Sequence, residues 1–180
     1  MVRSKQAGDG PDTIELRTRA ATIADAAAIA EIYNQGIADR IATFETEPRS
    51  AADIAGWFTG QHLVLVVETG EMHPVAFAAS SPYSSRPCYS GIGEFSVYVR
   101  RNHRGRGAGR AAVAALIKAA TARGMHKLTS RVFPENTASR ALLKGLGFEE
   151  IGIHRRHGQL DGRWRDCVIV ERLLGKGAGE

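Results

Sequence analysis

The segment GEFSVYVRRNHRGRGAGR, from Gly93 to Arg110, joins residue types that could bind a phosphorylated ligand and move a proton. Its closely spaced glycines let the main chain approach a pyrophosphate, so that successive N–H groups can form a nest for the anion. Five arginines, at 100, 101, 104, 106 and 110, can add charge-assisted hydrogen bonds to phosphate oxygens. Glu94 precedes this loop on an apolar strand pattern, where a carboxylate could serve as a base. The segment indicates an enzyme that uses a phosphorylated acyl carrier.

Two other phosphate-binding patterns do not fit this loop. No Gly-Lys-Ser/Thr follows it, as a P-loop requires, and its glycine spacing is not that of the dinucleotide-binding fingerprint. A solvated basic face, a plain tight turn and a nucleic-acid surface are the alternative interpretations. The embedded glycines favour one small, closely held phosphate ligand over a long polyanion, because they let the backbone itself make contact.

The composition is that of an ordinary globular protein. The 180 residues are 43% hydrophobic and 24% charged, with a net charge of +5. No apolar run reaches the ~18 residues of a membrane span, and the polar first residues do not read as a secretory signal. Cys88 and Cys167 lie far apart, without the clustered cysteines and histidines of a metal site. We therefore expect a cytoplasmic protein with no metal, no membrane partner and no nucleic-acid partner.

The apolar pattern predicts seven strands and four helices around one sheet, a mixed α/β (α+β) fold. One expected strand begins at Ile14, and the others lie at 63–67, 74–79, 92–99, 127–132, 148–153 and 167–173. The expected helices are one after Thr22, with Ile29, Ile32, Tyr33 and Ile37 on one face, a short one after Ser50, one at 107–121, and one at 136–146, with Ala138, Ala141, Leu142 and Gly145 on one face. Residues 80–92, rich in Pro, Ser and Gly, are expected to form a loop. We expect one domain over 14–174, with flexible tails at 1–13 and 175–180.

Several motifs occur together along the chain. They are Ile32-Tyr33-Asn34, Thr43-Phe44-Glu45-Thr46-Glu47-Pro48, Glu94-x-x-Val97-Tyr98-Val99, His103 to Gly109, and Asn136 to Phe148. With them, residues 15–174 resemble the GNAT superfamily of acyl-CoA-dependent N-acyltransferases. Within that superfamily the chain is most similar to the branch of phosphinothricin, methionine sulfoximine and arsinothricin N-acetyltransferases. The resemblance implies a splayed central sheet of about seven strands with four helices, and acetyl-CoA as co-substrate.

The resemblance also implies which residues bind acetyl-CoA. Main-chain groups of residues 97–99 would pair with the pantetheine as an added strand would, and the loop 104–110 would hold the pyrophosphate. The implied cofactor contacts are Val97, Tyr98, Val99, Arg104, Gly105, Arg106, Gly107, Ala108, Gly109, Arg110, Asn136 and Ser139. Asn136 is equally suited to cap a helix, so both roles stay open for it.

In this resemblance Glu94 is the general base. A free α-amino group has a pKa of about 8 and must lose a proton before it attacks a thioester. No serine or cysteine nucleophile with an adjacent base is evident, so we expect direct attack in a ternary complex. The alternative is a glutamate on an exposed strand face. The branch often has a histidine where this chain has Leu143, so the general acid is unassigned, with Tyr89, Tyr98 and His126 as candidates.

The acceptor side follows from the branch as well. Phe44 would wall the pocket, while Arg86 and Tyr89 would lie near the acceptor's acidic groups, because an arginine fork suits a carboxylate or phosphinate. Trp164 would help to close the pocket across the interface of a homodimer, which is common in the branch.

Three functional hypotheses remain from the sequence. The first is acetylation of a small acidic amino acid, which Arg86 and Tyr89 favour. The second is acetylation of a protein N-terminus, a lysine or another amine, for which an open groove without a cationic clamp is expected. The third is a non-catalytic acyl-CoA-binding module, against which the presence of Glu94 argues.

Overall fold

The computed structural model describes residues 15–70 and 73–175. Within these ranges the predicted order of seven strands and four α-helices is confirmed. The elements are β1 (Arg17–Ala20), α1 (Ala26–Asp39), α2 (Ala51–Ala55), β2 (Leu63–Glu68), β3 (Pro74–Pro82), β4 (Ile92–Val99), α3 (Ala108–Ala122), β5 (Lys127–Val132), α4 (Thr137–Lys144), β6 (Glu149–Leu160) and β7 (Arg163–Leu173). The tail expected at 1–13, the strand start at Ile14 and, except for Gly175, the tail expected at 175–180 lie outside the described residues.

The strands form one mixed sheet in the order β1-β2-β3-β4-β5-β7-β6. Neighbouring strands are antiparallel except β4 and β5, which are parallel. This parallel pairing covers only Ile92–Glu94 against Lys127–Thr129, and the two strands then diverge. Beyond it, the Ser130 hydroxyl donates to the Phe95 carbonyl at 2.7 Å. The splayed sheet implied by the sequence is therefore confirmed, with its opening between β4 and β5.

Helices α3 and α4 cover one face of the sheet. Alternate residues of β4, beginning with Phe95, point to this face and pack with Val113 and Leu116 of α3. Leu143 of α4 is buried in the same core. Since side chains alternate along a strand, Glu94 and Tyr98 point to the other face of the sheet.

Helices α1 and α2 cover part of that second face. Ile29 and Ile32 of α1 and Ile54 of α2 are buried against Phe77 and Tyr98. Both helices follow capping boxes that could be predicted from the sequence, at 22–25 and 50–53. Neither helix covers the sheet beyond β4. There Phe44 packs on Leu160 and Cys167, while the neighbouring part of β5 and β7 lines a cavity.

Beneath α1, Arg19 bridges two buried carboxylates. Its guanidinium donates to both oxygens of Asp25 at 2.8 Å and forms an ion pair with Glu68. The hydrogen bonds from Arg19 hold the pKa of Asp25 below its ordinary value, although burial acts in the opposite direction. The bridge joins the edge strand β1 to its neighbour β2 and to the start of α1.

Some predicted boundaries are wrong. Strand β3 extends to Pro82, so residues 80–82 of the expected loop pair with the start of β4. Strands β6 and β7 form a hairpin of 12 and 11 residues, far longer than expected. Nearly every residue of β6 is exposed, and its register shifts between His154 and Gly158, so it lacks the apolar alternation that marks a half-buried strand.

The face predicted for α4 is also wrong. The helix spans Thr137–Lys144, and its buried residue is Leu143, whereas Ala141 is exposed. Ala138 and Leu142 line a cleft at the end of the sheet opening, and Leu142 also packs against the core. The alanines that were predicted to face the core are therefore exposed at the surface.

Candidate active site

A cleft of about 440 Å³ lies beside the second half of β4, between the end of α1 and the starts of α3 and α4. It brings together ten of the residues predicted to bind the cofactor: Val97, Tyr98, Val99, Arg104, Gly105, Gly107, Gly109, Arg110, Asn136 and Ser139. Two predicted residues are not in its lining, because the Arg106 side chain is exposed and Ala108 is buried in the core.

Strand β4 presents an unpaired edge to this cleft. After Glu94 the strand makes no ladder with β5, so the outward main-chain groups of residues 96–99 lack a strand partner on that side. Unpaired strand edges readily accept another extended chain. The edge is therefore suited to an extended ligand that carries amide groups.

The loop before α3 has the geometry of an anion site. Gly105 and Gly107 have φ of +73° and +86°, conformations that suit glycine. The first hydrogen bond of α3 runs from the Ala111 N–H to the Gly107 carbonyl, so the preceding N–H groups have no partner within the helix. A Cβ on Gly109 would meet Leu142 at 3.0 Å and Val99 at 3.2 Å, so glycine lets α3 approach α4 and β4. A positive helix end with free N–H groups suits a phosphate.

Three of the five loop arginines are held by α1. Arg100 pairs with Glu31, while Arg101 and Arg104 both pair with Asp39. Arg104 also donates from Nε to the Val99 carbonyl at 3.1 Å. Burial raises the pKa of Asp39, but the hydrogen bonds from Arg101 and Arg104 outweigh this and keep it below its ordinary value. These ion pairs fix the loop against α1.

Asn136 caps α4 and joins it to the segment after α1. Its Oδ1 accepts from the Ser139 N–H at 3.1 Å, and its Nδ2 donates to the Ile41 carbonyl at 3.2 Å. The capping interpretation is confirmed, and the side chain still borders the cleft.

Glu94 lines a second cavity, of about 590 Å³, on the uncovered face of β4, β5 and β7. Its carboxylate forms an ion pair with Arg131 of β5, and the two side chains are 31% and 44% exposed. A narrow cavity of about 40 Å³ lies between the diverging strands, and its lining shares Val97 and Ser139 with the cleft and Arg131 with the Glu94 cavity. A ligand end entering the sheet opening from the cleft would thus arrive beside Glu94.

Sequence reasoning missed Arg131 and His157. Arg131 Nη1 lies 3.1 Å from His157 Nε2 on β6, and the His154 and His157 rings are 4.7 Å apart. A guanidinium can only donate, so Nε2 accepts and the imidazole is neutral. Burial and the charge of Arg131 lower the pKa of His157 accordingly. Arg131 is 37 residues from Glu94 and falls outside every motif, so no local signal marks it.

The residues predicted for the acceptor lie in three places. Phe44 packs edge-on against Phe133, with ring centroids 4.9 Å apart, and lies 6.4 Å from the His157 ring. Tyr89 lines the Glu94 cavity. Arg86 lies 5.4 Å from the Tyr89 ring centroid but borders a neighbouring cavity of about 1010 Å³. The structure therefore brings Tyr89 close to Glu94 and places Arg86 behind it.

The three candidate general acids differ in position. Tyr89 borders the Glu94 cavity, Tyr98 borders the cofactor cleft, and His126 borders the cavity of Arg86. Burial raises the pKa of Tyr98 well above its ordinary value. Leu143, where the branch often has a histidine, is a core residue.

Two further findings concern the described residues alone. No group of three His, Cys, Asp or Glu side chains in them could hold a metal ion. No helix among residues 15–70 and 73–175 is long and apolar enough to cross a membrane.

Comparisons with a family model and with known proteins all match acetyltransferases. The model of the acetyltransferase (GNAT) family matches residues 28–148. The chain is 30% identical over 170 residues to a phosphinothricin N-acetyltransferase of Streptomyces coelicolor, covering 91% of this chain and 99% of that protein. It is 31% identical over 160 residues to an L-methionine sulfoximine/L-methionine sulfone acetyltransferase of Pseudomonas paraeruginosa, covering 87% and 93%.

A solved structure agrees with these relatives. The phosphinothricin acetyltransferase of Sinorhizobium meliloti, crystallised with acetyl-CoA, is 29% identical with a TM-score of 0.84, and the match covers 92% of this chain and 91% of that one. Fold, motifs and relatives agree, and the chain belongs to the acetyltransferase (GNAT) family.

Proposed function

We propose that this acetyltransferase transfers the acetyl group of acetyl-CoA to the α-amino group of a small acidic amino acid. Phosphinothricin, methionine sulfoximine and arsinothricin are the proposed acceptors, and their acetylation would be a detoxification or resistance reaction. The observation that carries the proposal is that the cleft beside β4 and the Glu94 cavity both adjoin one narrow cavity at the opening of the sheet. The names of the relatives support this acceptor class.

The described residues fit acetyl-CoA, which supplies an activated acetyl thioester. The free edge of β4 offers residues 97–99 to the amide groups of the pantetheine. The left-handed Gly105 and Gly107 direct main-chain N–H groups of the loop and the start of α3 toward the pyrophosphate. Arg106 and Arg110, both exposed, are free to add charge, while Arg104 contributes chiefly through its main chain because Asp39 holds its side chain. Asn136 and Ser139 border the thioester end of the cleft.

Glu94 takes the proton in the proposed reaction. The ammonium of the acceptor first gives one proton to the Glu94 carboxylate. The neutral amine nitrogen then bonds to the acetyl carbon, the carbon–sulfur bond breaks, and the departing coenzyme A thiolate takes the second proton from the nitrogen. Tyr89 lines the acceptor cavity, and Arg86 lies behind Tyr89 for a distal acidic group. Phe44 would wall the pocket from its position next to His157.

A homodimer is part of the proposal. Strand β6 is the last strand of the sheet, and the β6–β7 hairpin exposes Ile151, Ile153 and Trp164 at 54%, 57% and 57%. Apolar side chains along an open strand edge favour association with another chain. Trp164 would then help to close the acceptor cavity across the interface.

We also assign the enzyme to the cytoplasm. Cys88 is exposed and Cys167 is buried, and both are free thiols. Unpaired thiols are typical of a reducing compartment.

Thiol release from acetyl-CoA tests the acceptor class. The acceptors are phosphinothricin, methionine sulfoximine, arsinothricin, a polyamine and a peptide with a free N-terminus, with acetyl-CoA alone as the blank. We expect turnover confined to the three acidic amino acids. Turnover on the peptide or the polyamine alone would contradict the proposed acceptor while leaving the family membership intact.

A further inference from the structure

We propose that Arg131 binds the α-carboxylate of the acceptor and that the Glu94–Arg131 pair recognises the amino acid as a zwitterion. This role rests on the proposed function, because it names the part of the acceptor that one residue of the site selects. Arg131 would make the enzyme prefer free α-amino acids to amines that lack a neighbouring carboxylate.

The first support is the geometry of the pair. The ammonium and carboxylate of an α-amino acid are attached to the same carbon, and Glu94 and Arg131 are likewise in direct contact. An ammonium beside Glu94 therefore brings the α-carboxylate within reach of Arg131. Opposite charges at matching separation are the basis of electrostatic complementarity.

The second support is that Arg131 has hydrogen-bonding capacity to spare. Its contacts within the described part of the chain are one N–H to Glu94 and one to His157, out of the five that a guanidinium carries. With a side chain 44% exposed, it faces the cavity and can present a fork to a carboxylate.

His157 positions this guanidinium. Its neutral Nε2 accepts from Arg131 Nη1 at 3.1 Å, which fixes one edge of the plane without offering a competing anion. The ring itself lies against Phe44 and His154, at 6.4 Å and 4.7 Å between centroids. His157 therefore adds no second anion to the one that Glu94 already presents to Arg131.

The other cation of this lining is already neutralised. Lys127 donates to Glu171 on β7 at 2.9 Å, whereas Arg131 shares its carboxylate partner with the incoming ammonium. When the acceptor binds, its carboxylate would replace Glu94 as the partner of Arg131. Glu94 would then be released to take the amine proton.

The test compares two acceptors that differ only at the α-carboxyl group. Methionine sulfone and methionine sulfone amide are assayed by thiol release, with kcat and KM for each, on the unaltered enzyme, Arg131→Met, Arg131→Lys and Arg140→Met. Arg140 is a matched control because it also pairs with a glutamate, Glu150, at similar exposure but on the other face of the sheet. The affinity for acetyl-CoA is measured on every variant to verify that the cleft is intact.

We expect the unaltered enzyme and Arg140→Met to favour the acid over the amide in kcat/KM by roughly tenfold or more, a difference worth about 1.4 kcal/mol. Arg131→Met should remove this preference through a higher KM for the acid, while kcat/KM for the amide is retained or rises. Arg131→Lys should restore part of the preference, since it keeps the charge but not the fork.

Two results would overturn the role of Arg131. One is an unchanged preference for the acid in Arg131→Met, and the other is an equal loss with both acceptors. Failure of the unaltered enzyme to acetylate any α-amino acid would overturn the proposed function itself, which separates the two ideas.

Discussion

Glu94 occupies the last residue of β4 that is paired with β5, at the point where the sheet begins to open. Its Cα partner is Thr129, and the following residues of β4 leave the ladder. The backbone of Glu94 is thus fixed on both sides, by β3 and by β5, while its side chain reaches a cavity. A rigid backbone beside a free strand edge is a suitable support for a catalytic carboxylate.

Replacement of this carboxylate tests its role. Glu94→Gln keeps the shape of the side chain but cannot accept a proton, so kcat should fall by about 10²–10⁴, the usual contribution of general base catalysis. The affinity for acetyl-CoA should not change, because Glu94 is absent from the lining of the cofactor cleft. Steady-state rates and calorimetry would measure both quantities, with Glu150→Gln as the control. Unchanged turnover would exclude Glu94 as the base.

At the residue scale, the sequence revealed what is local. Glu94 and the glycines stand together in one short motif, so their association could be predicted. The approach of Arg131 to Glu94 depends on the parallel register of β4 and β5 and on the divergence that follows. The position of Arg86, in a neighbouring cavity, depends on the course of a loop. Neither arrangement has a signature in composition or spacing.

At the element scale, the loop before α3 acts through its backbone. Three of its five arginines pair with α1, and its left-handed Gly105 and Gly107 line the cleft at the start of the helix. The conformation of this short segment therefore matters more for phosphate binding than the number of its charges.

Alanine substitutions at two glycines can separate the effect of loop conformation on ligand binding from the general cost of backbone strain. Gly105 and Gly124 have φ of +73° and +76°, and a Cβ at either position meets nothing within 4 Å. Alanine should destabilise the fold at both positions by about 1–2 kcal/mol, the cost of a left-handed L-residue. Only Gly105→Ala should weaken acetyl-CoA binding, by roughly tenfold, because only Gly105 borders the cleft. Thermal unfolding and calorimetry measure the two effects, and equal affinities would contradict the backbone role.

The helices and strands could be predicted where burial of one face gives the apolar residues a regular spacing in the sequence. Strands β4 and β5 have the predicted bounds, since each alternates against a core. The β6–β7 hairpin was underestimated because β6 is exposed along nearly its whole length, and a strand without a buried face carries no alternating pattern. The α4 face was misread because both of its alanines are exposed, with Ala138 at the border of the cofactor cleft.

At the scale of the whole molecule, the β6–β7 hairpin is the surface that leaves large apolar side chains uncovered. It carries exposed apolar side chains at the end of the sheet, on the side that α1 and α2 leave open. A second copy would cover this surface and lie close to the acceptor cavity, whose lining includes Ile151.

A charge in the hairpin should separate the proposed dimer. Ile153→Asp should give a folded monomer with reduced acceptor turnover, because a carboxylate is costly to bury in an apolar interface. Ile23→Asp is the control, as Ile23 is 64% exposed at the start of α1, far from the hairpin. Light scattering measures the mass and circular dichroism the fold. A monomeric unaltered enzyme, or a dimeric Ile153→Asp, would refute the interface.

The opening of the sheet has a consequence for amide hydrogen exchange. Strands β4 and β5, which join β1–β4 to β5–β7–β6, are linked by three residue pairs, the Ser130 hydroxyl and the Glu94–Arg131 ion pair. The outward amide hydrogens of residues 96–99 should exchange rapidly without a ligand, since no strand within 15–70 or 73–175 pairs with them on that side. An acyl carrier docked along this edge would supply the missing partner. Slow amide exchange would then extend from one half of the sheet into the other. The ligand would act as an eighth strand beside the seven of the described chain.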